Sequence, residues 1–415
     1  MTNRNSWRLA VLAALATILA LPEARAQQAP VLKKEFSFGY VGAVPLSNLL
    51  ILGPQIYGVT YASAASYQPL NDVPPPDNGG IFSYATSGPG TPTVLYSFSG
   101  PDGSHPTGAL IADAQGNLYG TTAAGGALGF GTIFKFTPSS GMLTTLHSFT
   151  GTDGADPETG VTLAPDGFLY GTTNAGGGRH ISSGTVFKLS TNGSGFKVIA
   201  ELADDGAFGS RTNVAVDQQG NVIGTTYGTF AARAAGSLFK VTPNGPIADV
   251  TGFGSSEGPY GLSTGQPVGN LVRDGAGDIF GMFTNIAYND SIGSRASQGA
   301  AVFEVTAVTH KLLIKAFFPN LAAVSGVVLD KAGNLYGTTV NGGQSNTGTV
   351  FKLSPSGTVT TVASIPLTGL APVGGVVPDT TGKLWGTTSA GGNVGCTSGS
   401  NVTPTGCGTL FSITP

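Results

Sequence analysis

Acidic side chains recur in the loops of this sequence and are its most obvious source of chemistry. Carboxylates can ligate Ca²⁺, bind polar ligands, or act as acid and base in hydrolysis. Asp153 and Asp156 could contribute oxygens to Ca²⁺, although no loop has the dense alternating acids of an EF-hand. We therefore expect no cofactor, with Ca²⁺ as the alternative, and turn formation as the simpler role of these acids. The candidate ligand-binding residues are Asp102, His105, Asp153, Asp156, Asp204, Asp205, Glu257 and Tyr260.

The histidines give little support for nucleophilic or metal chemistry. His147 lies in a predicted strand and is expected to pack, whereas His105 follows Asp102 in a loop. The sequence contains no Gly-x-Ser-x-Gly elbow, no His-Glu-x-x-His motif and no phosphate-binding loop. We predict neither a catalytic residue nor a metal site, and the sequence favours a protein that is not an enzyme.

Two cysteines, Cys396 and Cys407, bracket one loop rich in Gly, Ser and Thr. Their proximity predicts a local disulfide if the chain is exported, because disulfides persist in oxidising compartments. The alternative is two free thiols. Two cysteines are too few to form a metal site by themselves.

The N-terminus predicts export. Arg4 and Arg8 precede an apolar run from Leu9 to Leu21, and Ala24-Arg25-Ala26 resembles a small-x-small cleavage site. We predict a signal peptide over residues 1–26 and a single domain over residues 27–415, located in the periplasm or outside the cell. The alternative is an uncleaved anchor. After cleavage, we expect a monomer with no membrane span.

Composition limits the elements that could position these residues. The chain has 65 Gly and 26 Pro, and only 10% of its residues are charged. Gly and Pro stop helices and punctuate short strands, so the composition favours many strands joined by tight turns. The net charge is −3 and no basic stripe occurs, which argues against a nucleic-acid partner.

Self-comparison reveals seven copies of one repeat. Tyr119-Gly120-Thr121-Thr122 is its clearest phrase, and the glycines of successive copies are 62, 51, 53, 57, 56 and 49 residues apart. A second phrase, Gly131-Thr132-Ile133-Phe134-Lys135, follows each copy in similar form. The first phrase begins at Tyr57, Tyr119, Tyr170, Ile223, Phe280, Tyr336 and Trp385.

One copy predicts four strands, which we call A to D. They span Ala109–Asp113, Leu118–Thr122, Thr132–Thr137 and Thr144–Phe149, each a short β-branched or aromatic run between turn residues. The Asp-x-x-Gly sequence between strands A and B, here Asp113 to Gly116, is typical of a type I turn. We expect these repeated aspartates to bond the amides of their own turns.

Seven four-stranded copies predict an all-β fold, a seven-bladed β-propeller of antiparallel blades. Radial stacking covers both faces of each blade, which a single meander cannot do. The last copy ends after its strand C, whereas Glu35–Gly39 resembles a strand D that precedes the first copy. We therefore predict that Glu35–Gly39 pairs antiparallel with Thr409–Ile413 and closes the ring.

These phrases resemble the GloVer tandem repeat of choice-of-anchor bacterial surface proteins. A third phrase, Phe-Ser/Thr-Gly-x-Asp-Gly-x-x-Pro, stands at Phe98–Pro106 and Phe149–Pro157 and adds to the resemblance. The resemblance covers nearly the whole of residues 27–415 and implies an exported protein, without implying an activity. Members of that family carry C-terminal sorting or anchoring segments, and no such segment follows Pro415 here, so the sequence leaves open whether the protein is surface-attached or free.

Strand alternation places the B–C and D–A loops on one side and the tight A–B and C–D turns on the other. The loops vary in length and the turns do not, and variable loops on a rigid scaffold usually carry binding. The leading hypothesis is a non-enzymatic binding protein whose ligand is a glycan or another exported protein. The alternatives are a polysaccharide hydrolase or lyase and a structural envelope protein. An unbroken ring of acids and aromatics around the central opening would favour the enzyme.

Overall fold

The structure, a computed structural model, is a seven-bladed β-propeller. Every regular element of the described residues is a β-strand, and none of these residues forms a helix that could cross a membrane. The described residues are 30–38, 45–61, 78–88, 90–178, 183–202, 207–229, 236–243, 247–252, 264–289, 296–309, 311–323, 325–367, 369–392 and 407–414.

Each blade is a four-stranded antiparallel sheet, with strand A next to the axis and strand D outermost. Blades 1 and 2 consist of β2 (Leu50–Leu52), β3 (Gln55–Thr60), β4 (Gly80–Ala85) and β5 (Thr93–Ser97), then β6 (Ile111–Ala112), β7 (Leu118–Thr122), β8 (Thr132–Thr137) and β9 (Met142–Ser148). Blades 3 and 4 consist of β10 (Thr162–Leu163), β11 (Phe168–Thr172), β12 (Thr185–Ser190) and β13 (Lys197–Glu201), then β15 (Ala215–Val216), β16 (Val222–Thr225), β18 (Ser237–Val241) and β19 (Ile247–Gly252).

The remaining blades follow the same order. Blades 5 and 6 consist of β20 (Thr264–Arg273), β21 (Ile279–Asn289), β22 (Ala296–Val305) and β23 (Leu312–Pro319), then β24 (Val328–Leu329), β25 (Leu335–Thr339), β26 (Thr349–Leu353) and β27 (Val359–Ser364). Blade 7 consists of β29 (Val376–Pro378), β30 (Leu384–Thr388), β32 (Thr409–Thr414) and β1 (Val31–Ser37). Two small two-stranded antiparallel sheets pair β14 (Ala207–Phe208) with β17 (Gly228–Thr229) and β28 (Gly369–Leu370) with β31 (Ala390–Gly391).

The repeated phrases form the packed centre of each blade. In blade 2, Gly120 lies opposite Phe134 in the neighbouring strand, and a Cβ on Gly120 would lie 2.6 Å from Cζ of that ring. Thr122 and Thr132 are both buried, and their hydroxyls bond each other at 2.8 Å. The glycine therefore makes room for an aromatic ring, and the threonines satisfy each other in the core.

The aspartate of the A–B turn has the predicted structural role. In blade 2, Asp113 Oδ1 accepts hydrogen bonds from the amides of Gln115 and Asn117, both at 2.9 Å. Its other oxygen accepts from the Tyr119 hydroxyl at 2.9 Å. The corresponding aspartates of blades 4 to 7 bond turn amides in the same way: Asp217, Asp274, Asp330 and Asp379.

The ring closes in blade 7, as predicted. β1 is the outermost strand of this blade and pairs antiparallel with β32, from Ser37 opposite Thr409 to Val31 opposite Thr414. The strand begins at Val31, earlier than the predicted Glu35, and Gly39 lies outside the described residues. Glu35 sits at an irregularity in the pairing and accepts a hydrogen bond from Ser412 at 2.6 Å.

Candidate functional site

The B–C and D–A loops meet on one surface of the propeller, as predicted. Ser104 in a D–A loop pairs with Ala124 in a B–C loop, and Ala155 pairs with Ala175 one blade further on. The A–B and C–D turns lie at the opposite ends of the strands. We call the two surfaces the loop face and the turn face.

Two of the candidate acids hold their own loops in shape. Asp102 accepts hydrogen bonds from the amide and hydroxyl of Ser99 at 2.8 and 2.9 Å, and from the Tyr96 hydroxyl. Burial, with Asp102 adding to the effect, raises the pKa of Tyr96 to about 12. Asp153 accepts from the amide of Thr150 at 2.8 Å. Both carboxylates are thus engaged within the loops that carry them.

Asp153 also contacts His147, which was expected only to pack. His147 Nε2 lies 3.0 Å from Asp153 Oδ2, and the imidazole stacks on Phe196 with ring centroids 3.5 Å apart. Burial lowers the pKa of His147, although Asp153 opposes the shift. The stacking of the imidazole on Phe196 is consistent with the predicted packing role.

His105 and Asp156 occupy equivalent positions, each preceding a proline and each with left-handed backbone, at φ of 56° and 54°. The Asp156 amide donates to the carbonyl of Phe130, and its carbonyl accepts from the amide of Asn174. This conformation is disfavoured for a residue before proline. The two bonds, which join Asp156 to the B–C loops of blades 2 and 3, hold it in place.

A central opening of about 520 Å³ lies on the loop face at the propeller axis. Its lining includes the segments that lead into strand A, which converge from all seven blades. Among them, alignment of the copies puts one residue per blade at a single equivalent position, which we call the axial position. Its described occupants are Leu46, Thr107, Glu158, Arg211, Val268 and Val373.

Blades 3 and 4 place charged groups side by side in this opening. Arg211 Nε lies 3.1 Å from Glu158 Oε2, and its guanidinium lies 4.4 Å from the centre of the Tyr227 ring. The Asn174 amide donates to Asp156 Oδ2 and Glu158 Oε1 at 3.3 and 3.4 Å. We call these five residues the charged sector.

The environment of the Glu158 carboxyl changes its pKa. Burial raises its pKa, Arg211 opposes the shift, and the negative charge of Asp156 adds to it. The net effect is a raised pKa, so Glu158 takes up a proton at a higher pH than an exposed glutamate does. Perturbed carboxyls in a concave surface are typical of functional sites.

Blade 1 contributes an aromatic side chain to the opening. Tyr61 lines it and is 37% exposed, and its ring lies 4.5 Å from that of His105, centroid to centroid. Below the opening, a cavity of about 190 Å³ is lined by apolar side chains and by Asn48, Asn213 and Asn270. Asn48 Oδ1 accepts from the amide of Gly375 at 2.6 Å, so its amide oxygen joins blades 1 and 7.

The structure brings only some of the candidates together. Asp156 lines the opening and the His105 ring contacts that of Tyr61, a lining residue, whereas Asp102 and Asp153 are not among its lining residues. The charges also come from two neighbouring blades and do not form an unbroken ring around the described part of the opening. Asp204, Asp205, Glu257, Tyr260 and Cys396 lie outside the described residues.

Sequence reasoning missed Glu158, Arg211 and Asn174. Alignment of the repeat copies could have identified Glu158 and Arg211, because the residue at the axial position changes from blade to blade while the flanking phrases repeat. Among the described residues, no group of three or more His, Cys, Asp or Glu side chains could hold a metal ion. Ca²⁺ binding stays a prediction.

The comparison with known families confirms the resemblance over the first part of the chain. Residues 24–183 match the Gloeobacter/Verrucomicrobia repeat. No curated protein sequence matches the chain.

Several solved structures are similar to this chain at low sequence identity. PorZ of Porphyromonas gingivalis, a surface component of the type-IX secretion system, is 10% identical with a TM-score of 0.50, over 91% of this chain and 47% of PorZ. A protein of unknown function from Dyadobacter fermentans is 10% identical with a TM-score of 0.47, over 92% and 98%. TolB from Acinetobacter baumannii is 17% identical with a TM-score of 0.41, over 73% and 62%. Similarity at this level concerns the fold alone.

Proposed function

We propose that this repeat-containing propeller is an exported, non-enzymatic binding protein whose ligand is a glycan, bound in the central opening of the loop face. One observation carries the proposal. The axial position is apolar or uncharged in blades 1, 2, 5 and 7 but holds Glu158 and Arg211 in blades 3 and 4. Charge confined to one side of a regular scaffold supports binding of a ligand in one orientation.

The chemistry of the charged sector suits a sugar. Carboxylates accept hydrogen bonds from hydroxyl groups, and guanidinium and amide groups donate them. Tyr61 adds an aromatic ring to the same opening, and the Tyr227 ring lies against the Arg211 guanidinium. Aromatic rings offer apolar faces beside polar groups. Arg211 is 44% exposed and Glu158 is 31% exposed, so a ligand can reach both.

A glycan array probed with residues 27–415 would identify ligands, and calorimetry would measure their affinities. Glu158→Gln keeps the side-chain shape but removes the charge, and we expect at least a tenfold weaker affinity. Lys197→Ala, on the outermost strand β13, is the control and should leave affinity unchanged. Absence of any glycan ligand, or equal affinities of the Glu158 variant and the unmodified protein, would contradict the proposal.

The raised pKa of Glu158 supports a second candidate, a polysaccharide hydrolase. A carboxylic acid with a raised pKa can protonate the glycosidic oxygen of the leaving group. A second carboxylate, here Asp156, would activate the water that attacks the anomeric carbon. Release of new reducing ends from a polysaccharide, abolished by Glu158→Gln, would favour the hydrolase. Binding without such release would favour the binding protein.

A further inference from the structure

A separate cavity of about 240 Å³ lies on the turn face between blades 4 and 5. Its walls include Ile223 and Leu238 of blade 4 and Ile279 of blade 5, which are 8%, 1% and 3% exposed. The central opening lies on the opposite face, so this cavity does not belong to the site described above.

The cavity coincides with an exception in the repeat. The first residue of the Tyr-Gly-Thr-Thr phrase is aromatic in six blades and is Ile223 in blade 4. The six aromatic occupants are Tyr57, Tyr119, Tyr170, Phe280, Tyr336 and Trp385.

Blade 2 shows what the aromatic residue normally does. Tyr119 is fully buried, packs in one cluster with Leu169 and Leu189 of blade 3, and donates its hydroxyl to Asp113 Oδ2 at 2.9 Å. The ammonium of Lys135 lies over the ring, 5.9 Å from its centre. The tyrosine therefore fills the space between two blades, with an acceptor at its hydroxyl and a cation on its face.

The same set of positions lines the cavity. Asp217 and Lys240 correspond to Asp113 and Lys135, and Ile279 and Val305 of blade 5 correspond to the two leucines of blade 3. All four line the cavity together with Ile223. The cavity is thus the space that the phenol ring of a tyrosine occupies in blade 2.

The aspartate and lysine that contact the tyrosine ring in blade 2 are retained in blade 4, although blade 4 has no such ring. Asp217 Oδ2 accepts a hydrogen bond from the Asn221 amide at 2.7 Å, but Ile223 offers it no hydroxyl. Arg273 of blade 5 adds a second cation to the rim. Within the described part of the chain, neither Lys240 nor Arg273 forms an ion pair.

We propose that this cavity binds small phenols that carry an anionic group. The phenol ring replaces the missing tyrosine ring against the apolar walls, and its hydroxyl donates to Asp217. Lys240 lies over the ring and Arg273 binds the anionic group. A cavity of about 150 Å³ can accommodate benzene, so this one has room for a substituted ring.

Binding of 3-hydroxyphenylacetate to residues 27–415, followed by NMR or calorimetry, tests the proposal. A substituent para to the hydroxyl would point at Ile223, as the Cβ of a tyrosine does, so the probe carries its anionic group at the meta position. We expect saturable binding, and at least tenfold weaker binding of phenylacetate, which lacks the hydroxyl that donates to Asp217. Ile223→Tyr supplies the ring covalently, so it should abolish binding and raise the melting temperature.

Asp217→Asn tests the same contact without filling the cavity and should weaken binding at least tenfold. Asp113→Asn is the matched control, because it makes the same change in a blade whose tyrosine is present, and it should leave binding unaltered. Failure of 3-hydroxyphenylacetate to bind at millimolar concentration would overturn the proposal. Unchanged affinity in both the Ile223 and the Asp217 variants would do so as well.

Discussion

The strand-B glycine of every blade lies against a phenylalanine ring of strand C. A Cβ at these positions would lie between 2.4 and 2.6 Å from Cζ of that ring, a separation that atoms do not tolerate. The rings are themselves almost fully buried and have no space into which to move. The repeat therefore requires glycine at this position because the phenylalanine ring leaves no room for a side chain, and not because the backbone turns there.

Replacing one of these glycines should destabilise the whole protein. Gly171→Val would place a side chain 2.5 Å from Phe187, and we expect a loss of roughly 1–3 kcal/mol in the free energy of unfolding. Urea denaturation measures the change. Gly275→Val is the control, because a Cβ there meets nothing within 4 Å. Equal midpoints for the Gly171 variant and the unmodified protein would contradict this packing.

The turn aspartates should make stability depend on pH. Burial alone would raise the pKa of Asp330, but hydrogen bonds from Asn334 and other turn groups outweigh it and lower the pKa. The unfolded chain then binds more protons in acid, so this stabilisation is complete above the unfolded pKa and is lost as pH falls below about 4.

Asp330→Ala should cost about 1–2 kcal/mol at pH 7, because it removes the acceptor of several turn hydrogen bonds. The difference from the unmodified protein should shrink as pH falls from 5 towards 3. Lys331→Ala, in the same turn, is the control and should change stability little at either pH. A deficit for the Asp330 variant that stayed constant across this range would argue against the pKa shift.

The candidate site was only partly accessible to sequence reasoning, because a single copy of the repeat does not identify the centre of the ring. The sequence predicts His105 and Asp156 as ligand-binding residues because they lie in loops, and the structure puts both at or beside the opening. Glu158 and Arg211 are 53 residues apart and meet only because adjacent blades place equivalent positions side by side. That contact follows from the closed geometry and not from any local motif.

Strands B and C of blade 2 match their predicted bounds, whereas strands A and D do not. β6 has two residues where five were predicted, and β9 begins at Met142 instead of Thr144. The inner strand of blade 2 lies where neighbouring blades approach each other closely, and a Cβ on Gly108 would lie 2.2 Å from the amide nitrogen of Gly160. Strand propensity is a local property and contains no information about this crowding.

The predicted disulfide lies within one B–C loop and should stabilise mainly that loop. Cys407 is 1% exposed and immediately precedes Gly408, whose carbonyl accepts the amide of Phe38. Its pairing with Cys396 stays a prediction. In the entropic treatment, a bond closing about a dozen residues contributes roughly 3 kcal/mol.

We expect non-reduced peptide mapping by mass spectrometry to find Cys396 joined to Cys407. Reduction should lower the melting temperature but leave a folded propeller, because the other blades do not depend on this bond. Cys396→Ser in the unreduced protein should reproduce the effect of reduction. Two alkylatable thiols in protein purified from an oxidising compartment would reject the pairing.

Closure of the ring joins segments that are far apart in sequence. Glu35 is 3% exposed at its side chain and contacts Lys383 at 3.4 Å as well as Ser412, so β1 is held by charge as well as by backbone pairing. Phe38 is fully buried and packs against Phe82 of blade 1, with ring centroids 5.2 Å apart. β1 thus stabilises two blades.

Deleting residues 27–39 should destabilise the entire ring by at least about 3 kcal/mol, since it exposes β32 and removes buried aromatic side chains. We expect one cooperative thermal transition at a lower temperature, measured by calorimetry. Deleting only residues 27–30, which precede β1, is the control and should have little effect. An unchanged melting temperature after the longer deletion would contradict closure through β1.

The pairing of Val31 with Thr414 also makes the fold circular in a topological sense. Seven blades surround one axis. The covalent chain is interrupted within blade 7, where β1 comes from the N-terminal part of the chain and β32 from the C-terminal part. A short linker between the ends of β1 and β32, with a new break in a tight turn of another blade, would preserve every strand pairing. Such a circular permutant moves the interrupted blade around the ring and leaves the loop face intact.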